Sequence, residues 1–240
     1  MTPRQSKLLK AIIDEFIASA EAVGSVNLAN KYRLGVSPAT IRNEMAALVK
    51  QGYLAKPHSS SGRLPTNLGF RYFIEKLLDE LEELEVPLET ETREDLFQSR
   101  FDTDELLAKA VSVIAEQTAL LALALFHKRV YYSGLANLLS QPDYHSTEEI
   151  RKIFNVIEDS EQLLNIFNRY RGVRKIRILI GEDTGFGSFA SSSLVFAPIK
   201  LHGSAEGFLA IVGPNRMNYA HNIPLLEHVA DTVNSVINGW

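Results

Sequence analysis

A helix with two unlike faces is encoded near the start of the chain by the run Ser37-Pro38-Ala39-Thr40-Ile41-Arg42-Asn43-Glu44-Met45. Ser37 can cap a helix N-terminus, and Pro38 suits the first helical turn, where no backbone donor is needed. Beyond them an apolar stripe repeats at helical spacing through Ile41, Met45, Leu48 and Val49. The run therefore predicts an amphipathic helix that begins after Ser37.

The opposite face of this predicted helix is small, polar and basic. It carries Ala39, Asn43, Ala46 and Lys50, flanked by Thr40 and Arg42. Such a surface suits insertion into the major groove of DNA, where Arg and Asn side chains bond base edges. The alternative is the solvated face of an ordinary surface helix, and the face by itself leaves both open.

Two further helices precede this one and complete a helix-turn-helix pattern. Thr2-Pro3 starts the first helix, whose buried face is expected to hold Leu8, Leu9, Ile12, Ile13, Phe16 and Ile17. Ser25 is expected to cap a short second helix over 26–32, and Leu34-Gly35-Val36 forms a tight turn. The alternative is a small three-helix bundle of another kind.

A wing is predicted directly after the amphipathic helix. Short strands at 53–57 and 63–65 flank the polar loop His58-Ser59-Ser60-Ser61-Gly62, and Thr66 then caps the next helix. The hydroxyls and imidazole of the loop and the arginine that follows it are groups that contact phosphates. The serine run could instead be a plain flexible loop.

The residues predicted to contact DNA come from the amphipathic helix and the wing. They are Ser37, Ala39, Thr40, Arg42, Asn43, Lys50, His58, Ser59, Ser60, Ser61 and Arg63. Arg42 is expected to bond guanine and Asn43 adenine, whereas Arg63 and the serines are expected to position the protein on phosphates. The alternative for Arg42 is a phosphate contact alone.

Charge is distributed unevenly along the chain, although the net charge is only -4. Residues 1–72 hold 10 Lys and Arg against 4 Asp and Glu, whereas residues 73–105 hold 3 against 13. The remainder, residues 106–240, is balanced. A basic head suits a nucleic-acid partner, and an acidic connector, read as a helix followed by a linker over 88–100, disfavours contact with DNA.

Composition excludes several classes of protein. Cysteine is absent, which excludes disulfides, thiolate metal sites and cysteine nucleophiles and fits a cytoplasmic protein. No apolar run reaches transmembrane length, and the polar start does not resemble a signal peptide. We therefore expect a soluble protein.

The last part of the chain alternates helix and strand signals. Helices are predicted at 104–117, after Ser146, after Asp159 and at the C-terminal end, and Ser146-Thr147-Glu148-Glu149 has the form of a capping box. Two strands joined by a basic turn are predicted around His127-Lys128-Arg129. A further strand at 175–180 and a hairpin over 194–212 complete an α+β domain with a mostly antiparallel sheet.

Five stretches, taken together, resemble the HrcA family of bacterial heat-inducible transcription repressors. They are Val23-Gly24-Ser25, the run from Ser37 to Met45, the region from Gly52 to Thr66, Gly134-Leu135-Ala136-Asn137-Leu138-Leu139-Ser140-Gln141-Pro142-Asp143-Tyr144, and Ile211-Val212-Gly213-Pro214-Asn215-Arg216-Met217-Asn218-Tyr219. The resemblance implies a repressor of chaperone genes that binds an inverted-repeat operator as a dimer in the bacterial cytoplasm. It also implies a GroE-type chaperonin as a partner and a GAF-like fold for the last domain.

The chain departs from the family where typical members carry a long, dimerising insertion. Here the predicted strand that ends at Phe126 leads almost directly into Tyr131 and Gly134. Two other dimer surfaces remain: the leucines Leu77, Leu78, Leu81 and Leu84, and an open sheet edge near Tyr131 and Tyr132. Acidic neighbours of the leucines would repel a twin helix, so we expect a dimer held by residues 106–240.

The sequence offers little for catalysis or metal binding. The loop around Gly185 and Gly187 lacks the third glycine and the lysine of a phosphate loop. The histidines, His58, His127, His145, His202, His221 and His228, show no ligand spacing. We expect no cofactor, no metal and no enzymatic activity.

The sequence as a whole predicts an α+β protein with an N-terminal winged helix-turn-helix and a GAF-like α+β domain. The predicted parts are a DNA-binding domain at 1–72, an acidic helix and linker at 73–105, and a GAF-like domain without the dimerising insertion at 106–240. The predicted function is sequence-specific repression of heat-shock genes. Two alternatives stay open: a regulator whose GAF-like domain senses a small effector, and an activator with the same head.

Overall fold

Caps and apolar stripes place the helices of the first part of the molecule. The computed structural model divides into two units, Met1–Glu82 and Glu83–Trp240. It describes residues 1–57, 62–78, 90–144, 146–170, 175–201 and 205–238. The first unit contains, in order, α1 (Pro3–Ser19), α2 (Ser25–Lys31), α3 (Pro38–Lys50), β1 (Leu54–Ala55), β2 (Leu64–Pro65) and α4 (Asn67–Tyr72), which a π-helical turn at Phe73–Leu77 continues.

Three of the predicted helix caps in the first unit are confirmed. The Thr2, Ser37 and Thr66 hydroxyls each accept a bond from the backbone N–H three residues later. The prediction for Ser25 was wrong: Gly24 holds the cap position in extended backbone, and Ser25 is already helical and buried. The chain enters α2 one residue early, so the Ser25 hydroxyl packs inside instead of bonding a later amide.

The core of the first unit forms where α3 packs on α1 and α2. Its fully buried large side chains include Leu9, Ile12, Ile13, Leu28, Ile41, Leu48, Phe70 and Phe73. β1 and β2 pair in antiparallel fashion, with Leu54 opposite Pro65 and Ala55 opposite Leu64. Both strands are shorter than the sequence predicts.

In its described residues, the second unit is a five-stranded antiparallel sheet with helices. Its elements are α5 (Thr90–Gln98), α6 (Thr103–Thr118), β3 (Leu121–Phe126), β4 (Arg129–Ser133), α7 (Leu135–Leu139), α8 (Thr147–Glu158), α9 (Ser160–Arg169), β5 (Arg177–Ile180), β6 (Ser192–Leu201), β7 (Ala205–Pro214) and α10 (Tyr219–Asn238), with 3-10 turns at Gly181–Thr184 and Gly187–Phe189. The strand order is β4-β3-β7-β6-β5. Across the sheet, Ala210 lies opposite Leu123 on one side and Phe196 on the other. The predicted α+β class and antiparallel sheet are confirmed.

Both faces of the sheet are covered by helices, which explains the continuous apolar run in β3. Side chains that alternate along a strand point to opposite faces. One face joins α8 and α9 in a core that includes Leu121, Leu123, Leu125, Ile153, Ile157, Leu163, Phe167, Phe196 and Phe208. Strands β3 and β6 also contact α6 and α10, respectively. All five residues at 121–125 are consequently buried.

The tight connection between β3 and β4 is made by the predicted basic turn. His127 and Lys128 both have positive φ, +47° and +65°. Two successive residues of positive φ match the right-handed twist of the strands that a two-residue hairpin joins. The turn leaves β4 at the outer edge of the sheet, as the sequence predicts for Tyr131 and Tyr132.

Helix α5 occupies part of the segment that the sequence assigns to a linker. The prediction of a linker over 88–100 was wrong for Thr90–Gln98. This helix contacts α6 and α10 and buries Leu96 completely. Helix α5 has too few apolar residues to give a periodic pattern in the sequence. Its stability comes mainly from the apolar surface of the helices it packs on. None of the helices in the described ranges combines the length and the apolar character needed to cross a lipid bilayer.

Gly134 is a position where the fold demands glycine. It has a φ of +85°, and an added Cβ would lie 2.2 Å from the Leu120 carbonyl oxygen. We expect Gly134→Ala to lower the free energy of unfolding by about 2–3 kcal/mol, since both strain and a backbone clash oppose it. Urea unfolding followed by circular dichroism measures this. The matched control is Gly187→Ala, whose Cβ would meet no atom within 4 Å; equal losses in the two variants would contradict the account.

Candidate nucleic-acid interface

Helix α3 presents a polar face to solvent because its apolar face is buried in the first unit. Ile41, Met45 and Leu48 are almost completely buried. The side chains opposite them are exposed, and these are Ala39, Arg42, Asn43, Ala46 and Lys50. The structure therefore brings together on one accessible surface the α3 residues that the sequence selects, with Thr40 half-buried at its margin.

Some polar groups of this face are hydrogen-bonded within the cap of α3, and others have no hydrogen-bond partner among the described residues. The Ser37 hydroxyl accepts a bond from the Thr40 backbone N–H at 3.2 Å and lies 3.0 Å from the Thr40 hydroxyl, so both residues serve the cap. The side chains of Arg42, Asn43 and Lys50 make no hydrogen bond or ion pair with any other described residue. Their donors and acceptors remain accessible to an external partner.

A third chain segment supports the base of the predicted wing. Val23 forms an antiparallel bridge with Arg63, and each backbone N–H donates to the other residue's carbonyl at 2.9 Å. Arg63 is half-buried, and its Nη1 donates to the Gly62 carbonyl at 2.9 Å. Arg63 is thereby anchored at the foot of the loop. The predicted contacts His58, Ser59, Ser60 and Ser61 lie outside the described residues.

A buried carboxylate on α1 holds α2 in place. Glu15 Oε1 accepts from Asn27 Nδ2 at 3.0 Å, while Oε2 accepts from Lys31 Nζ at 2.5 Å and from the Tyr32 hydroxyl at 3.3 Å. The bond from Lys31 is the main cause that lowers the pKa of Glu15. Burial, together with the Glu15 charge, raises the pKa of Tyr32 to about 12.

A second carboxylate, on α3 itself, holds that helix to the start of α1. Glu44 Oε1 accepts from Arg4 Nε at 2.9 Å and also contacts Arg4 Nη2, and Oε2 accepts from Gln5 Nε2 at 3.0 Å. These bonds lower the pKa of Glu44. Neither Glu15 nor Glu44 is among the residues that the sequence predicts to be functional. The sequence does show that Glu44 lies three residues after Ile41 and four before Leu48, both of which are buried. This spacing places Glu44 on the packed side of α3.

Two distant stretches that carry the family resemblance meet in the second unit. The Tyr144 hydroxyl lies 3.1 Å from Ser192 Oγ, and the Tyr219 hydroxyl donates to Ser193 Oγ at 2.7 Å. Arg216 bonds Asp143, with Nη2 at 2.8 Å from Oδ2. The Arg216–Asp143 pair joins the turn between β7 and α10 to the segment after α7, and the two tyrosines bond neighbouring serines at the start of β6. Burial raises the pKa of both tyrosines.

Comparison with solved structures supports the arrangement of the chain. A protein described as "a hypothetical protein", with a crystal structure at 2.2 Å resolution, superposes with a TM-score of 0.82. The two are 18% identical, and the match covers 99% of this chain and 98% of the other. At this identity the likeness shows a shared fold.

Sequence comparisons identify the class and then the family. The heat-inducible transcription repressor HrcA of Carboxydothermus hydrogenoformans is 25% identical, with 98% of this chain and 97% of that protein covered. The HrcA repressor of Desulforudis audaxviator is 26% identical with the same coverage. The class is thus that of transcription repressors, a non-enzymatic role. A sequence model described as the HrcA protein C terminal domain matches residues 71–223, and the chain belongs to the HrcA family.

These alignments also bear on the length of the chain. They extend over 334 and 338 positions, whereas this chain has 240 residues. Each alignment runs nearly from end to end of both proteins, but many of its positions are residues of the relative that have no counterpart in this chain. The finding agrees with the expectation from sequence that this chain is shorter than its relatives.

The Glu15 contacts make the stability of the first unit depend on pH. The pKa of Glu15 is lowered from 4.5 in the folded state. The ionised side chain therefore stabilises the fold above pH 4.5, and this stabilisation is lost as the pH falls through the pKa of the folded state. We expect Glu15→Gln to lower the melting temperature at pH 7 and to flatten its decline below pH 4.5. Calorimetry from pH 7 to pH 3 measures both. The exposed Glu21→Gln is the charge-matched control, and a pH profile of Glu15→Gln parallel to that of the wild type would contradict the assignment.

Proposed function

We propose that the chain represses chaperone genes by binding an inverted-repeat operator in double-stranded DNA as a homodimer. The first unit acts as a winged helix-turn-helix, in which α2 and α3 form the motif and the β1–β2 hairpin forms the wing. The observation that carries the proposal is the accessible face of α3, where Arg42, Asn43 and Lys50 have no partner among the described residues. Membership of a repressor family supplies the biological role.

Helix α3 reads bases from the major groove. Arg42 can donate two bonds to guanine, and the Asn43 amide can pair with adenine. Ala39 and Ala46 are small enough to let the helix approach the base edges. Lys50, at the C-terminal end of α3, binds phosphate and adds affinity without sequence preference.

The wing fixes the register of the head on the duplex. Arg63, His58 and the serines at 59–61 contact phosphates, which position a protein but carry no sequence information. The bridge between Val23 and Arg63 supports this assignment, because it ties the foot of the wing to the segment between α1 and α2. The hairpin and α3 then engage the duplex as one rigid head.

The second unit is a GAF-like domain and supplies the dimer contact through β4. This strand is at the edge of the sheet, and an uncovered edge pairs readily with another chain. Tyr132 on β4 is 47% exposed, and Leu135 and Leu139 on α7 are exposed as well. In keeping with the family resemblance, a GroE-type chaperonin is a further partner, and the protein works in the bacterial cytoplasm.

The base-reading role of α3 predicts selective losses. We expect Arg42→Ala and Asn43→Ala each to weaken binding to the operator by about 1–3 kcal/mol while changing binding to random DNA less, because each removes a base contact. Fluorescence anisotropy with both duplexes at one salt concentration measures the losses. Equal losses on operator and random DNA would show that the residue contacts phosphate alone.

The dimer assignment predicts the behaviour of a fragment. Helix α5 packs on α6 and α10, so a fragment of the second unit has to begin at residue 83 and not at 106. We expect residues 83–240 to be dimeric in light scattering, as the full chain is. Tyr132→Lys places like charges at the edge of both copies and should yield monomers. If the full chain is dimeric but the 83–240 fragment is monomeric, the dimer contact lies in the first unit instead.

A further inference from the structure

Glu44 is the one acidic residue on α3, the helix whose exposed face is basic and polar. A carboxylate there opposes the approach of a phosphate backbone through like-charge repulsion. Its side chain is only 14% exposed and points toward α1, away from the exposed face that carries Arg42 and Asn43. Any favourable effect of Glu44 on binding therefore has to act through the geometry of the head.

The apolar contacts of α3 leave part of its orientation unspecified. Ile41, Met45 and Leu48 are buried, but apolar burial is non-directional and tolerates small rotations of a helix about its axis. Hydrogen bonds depend steeply on angle and distance. The charge-assisted bonds from Arg4 and Gln5 to Glu44 thus restrict the rotation and the axial position of α3 in a way that its apolar stripe does not.

The donor on α1 is itself held in one orientation. Gln5 as a residue is 8% exposed, and its Oε1 accepts from the Thr2 backbone N–H at 3.0 Å while its Nε2 donates to Glu44. A flip of the amide would lose both bonds. The cap of α1 therefore presents a fixed donor to Glu44, and Arg4, with a 59% exposed side chain, completes the clamp from the surface.

We propose that Glu44 is a positioning residue for sequence recognition, which sets the rotation of α3 on α1 and so aims Arg42 and Asn43 at the base edges. The inference rests on the proposed function of α3 and deepens it. Contacts of this kind have to be held within about 0.5 Å and 10–20° to be productive. Because Asn43 directly precedes Glu44, a rotation that releases Glu44 moves the Asn43 amide with it.

The account predicts effects of opposite sign on two kinds of DNA. The full chain is titrated with a duplex selected by the wild type from a random pool and with a scrambled duplex of the same composition, at one salt concentration. For Glu44→Ala we expect binding to the selected duplex to weaken about tenfold, the size of one damaged base contact. Binding to the scrambled duplex should strengthen about twofold, because a negative charge is removed. Glu44→Gln, which keeps the shape, should fall between.

Two further variants separate positioning from charge and from folding. Glu21→Ala removes the same charge from an exposed position of the first unit and should strengthen binding to both duplexes equally. Arg4→Ala removes the partner and should weaken binding to the selected duplex more than to the scrambled one. In the Arg4→Ala/Glu44→Ala double variant, the discrimination should fall no further than in Glu44→Ala alone, since both act through one contact. Circular dichroism at the assay temperature verifies that each variant is folded.

The outcomes distinguish this inference from the function on which it rests. A wild-type chain that selects no duplex from the pool would overturn the proposed function together with this inference. A wild-type chain that discriminates, beside a Glu44→Ala variant that strengthens binding to both duplexes equally, would overturn the positioning role alone. Additive effects of Arg4→Ala and Glu44→Ala on discrimination would also overturn it, because the two side chains would then act separately.

Discussion

Burial of the apolar stripe of α3 is the constraint on which the proposed activity depends. Ile41, Met45 and Leu48 are removed from water against α1 and α2, and each such side chain contributes about 1.5–3 kcal/mol. Turning α3 by a single residue would expose part of this stripe and would bury Arg42 or Asn43 without a partner. The first unit therefore cannot fold well without presenting the polar face to solvent. Two carboxylates add directional hydrogen bonds to this arrangement. Glu15 on α1 accepts a bond from α2, and Glu44 on α3 accepts a bond from α1.

The second unit of this chain, which is shorter than its relatives, buries an extended apolar core against its sheet. The two-residue turn at His127 and Lys128 closes β3 directly onto β4, and helices cover both faces of the sheet. Buried hydroxyl contacts of Tyr144 and Tyr219 join segments that are far apart in sequence. Strand β4 is the outer strand of this sheet, and the dimer contact that we propose would pair with it.

Features with a local cause were predictable from the sequence, and features with a tertiary cause were not. The caps of α1, α3 and α4, the amphipathic pattern of α3 and the β6–β7 hairpin follow from residues close together in the chain. Helix α5 was missed because its stability comes from contacts with α6 and α10. The bonds to Glu44 join residues some forty positions apart, and no periodic pattern encodes such a pair. The position of Arg42 and Asn43 on one face of α3 was predictable from the sequence. The bonds from Arg4 and Gln5 to Glu44, which we propose orient that face, became evident only in the structure.

The absence of cysteine allows a direct test of where α3 lies on DNA. Ala46→Cys places a single thiol at the centre of the exposed face, where an iron chelate that generates hydroxyl radicals can be attached. The account predicts cleavage of the operator duplex at two symmetric positions, one in each half-site, while the wild-type chain, which has no thiol to carry the chelate, cleaves neither. Absence of cleavage from position 46 in a complex that still forms, or cleavage spread evenly along the duplex, would contradict the claim that α3 reads the operator.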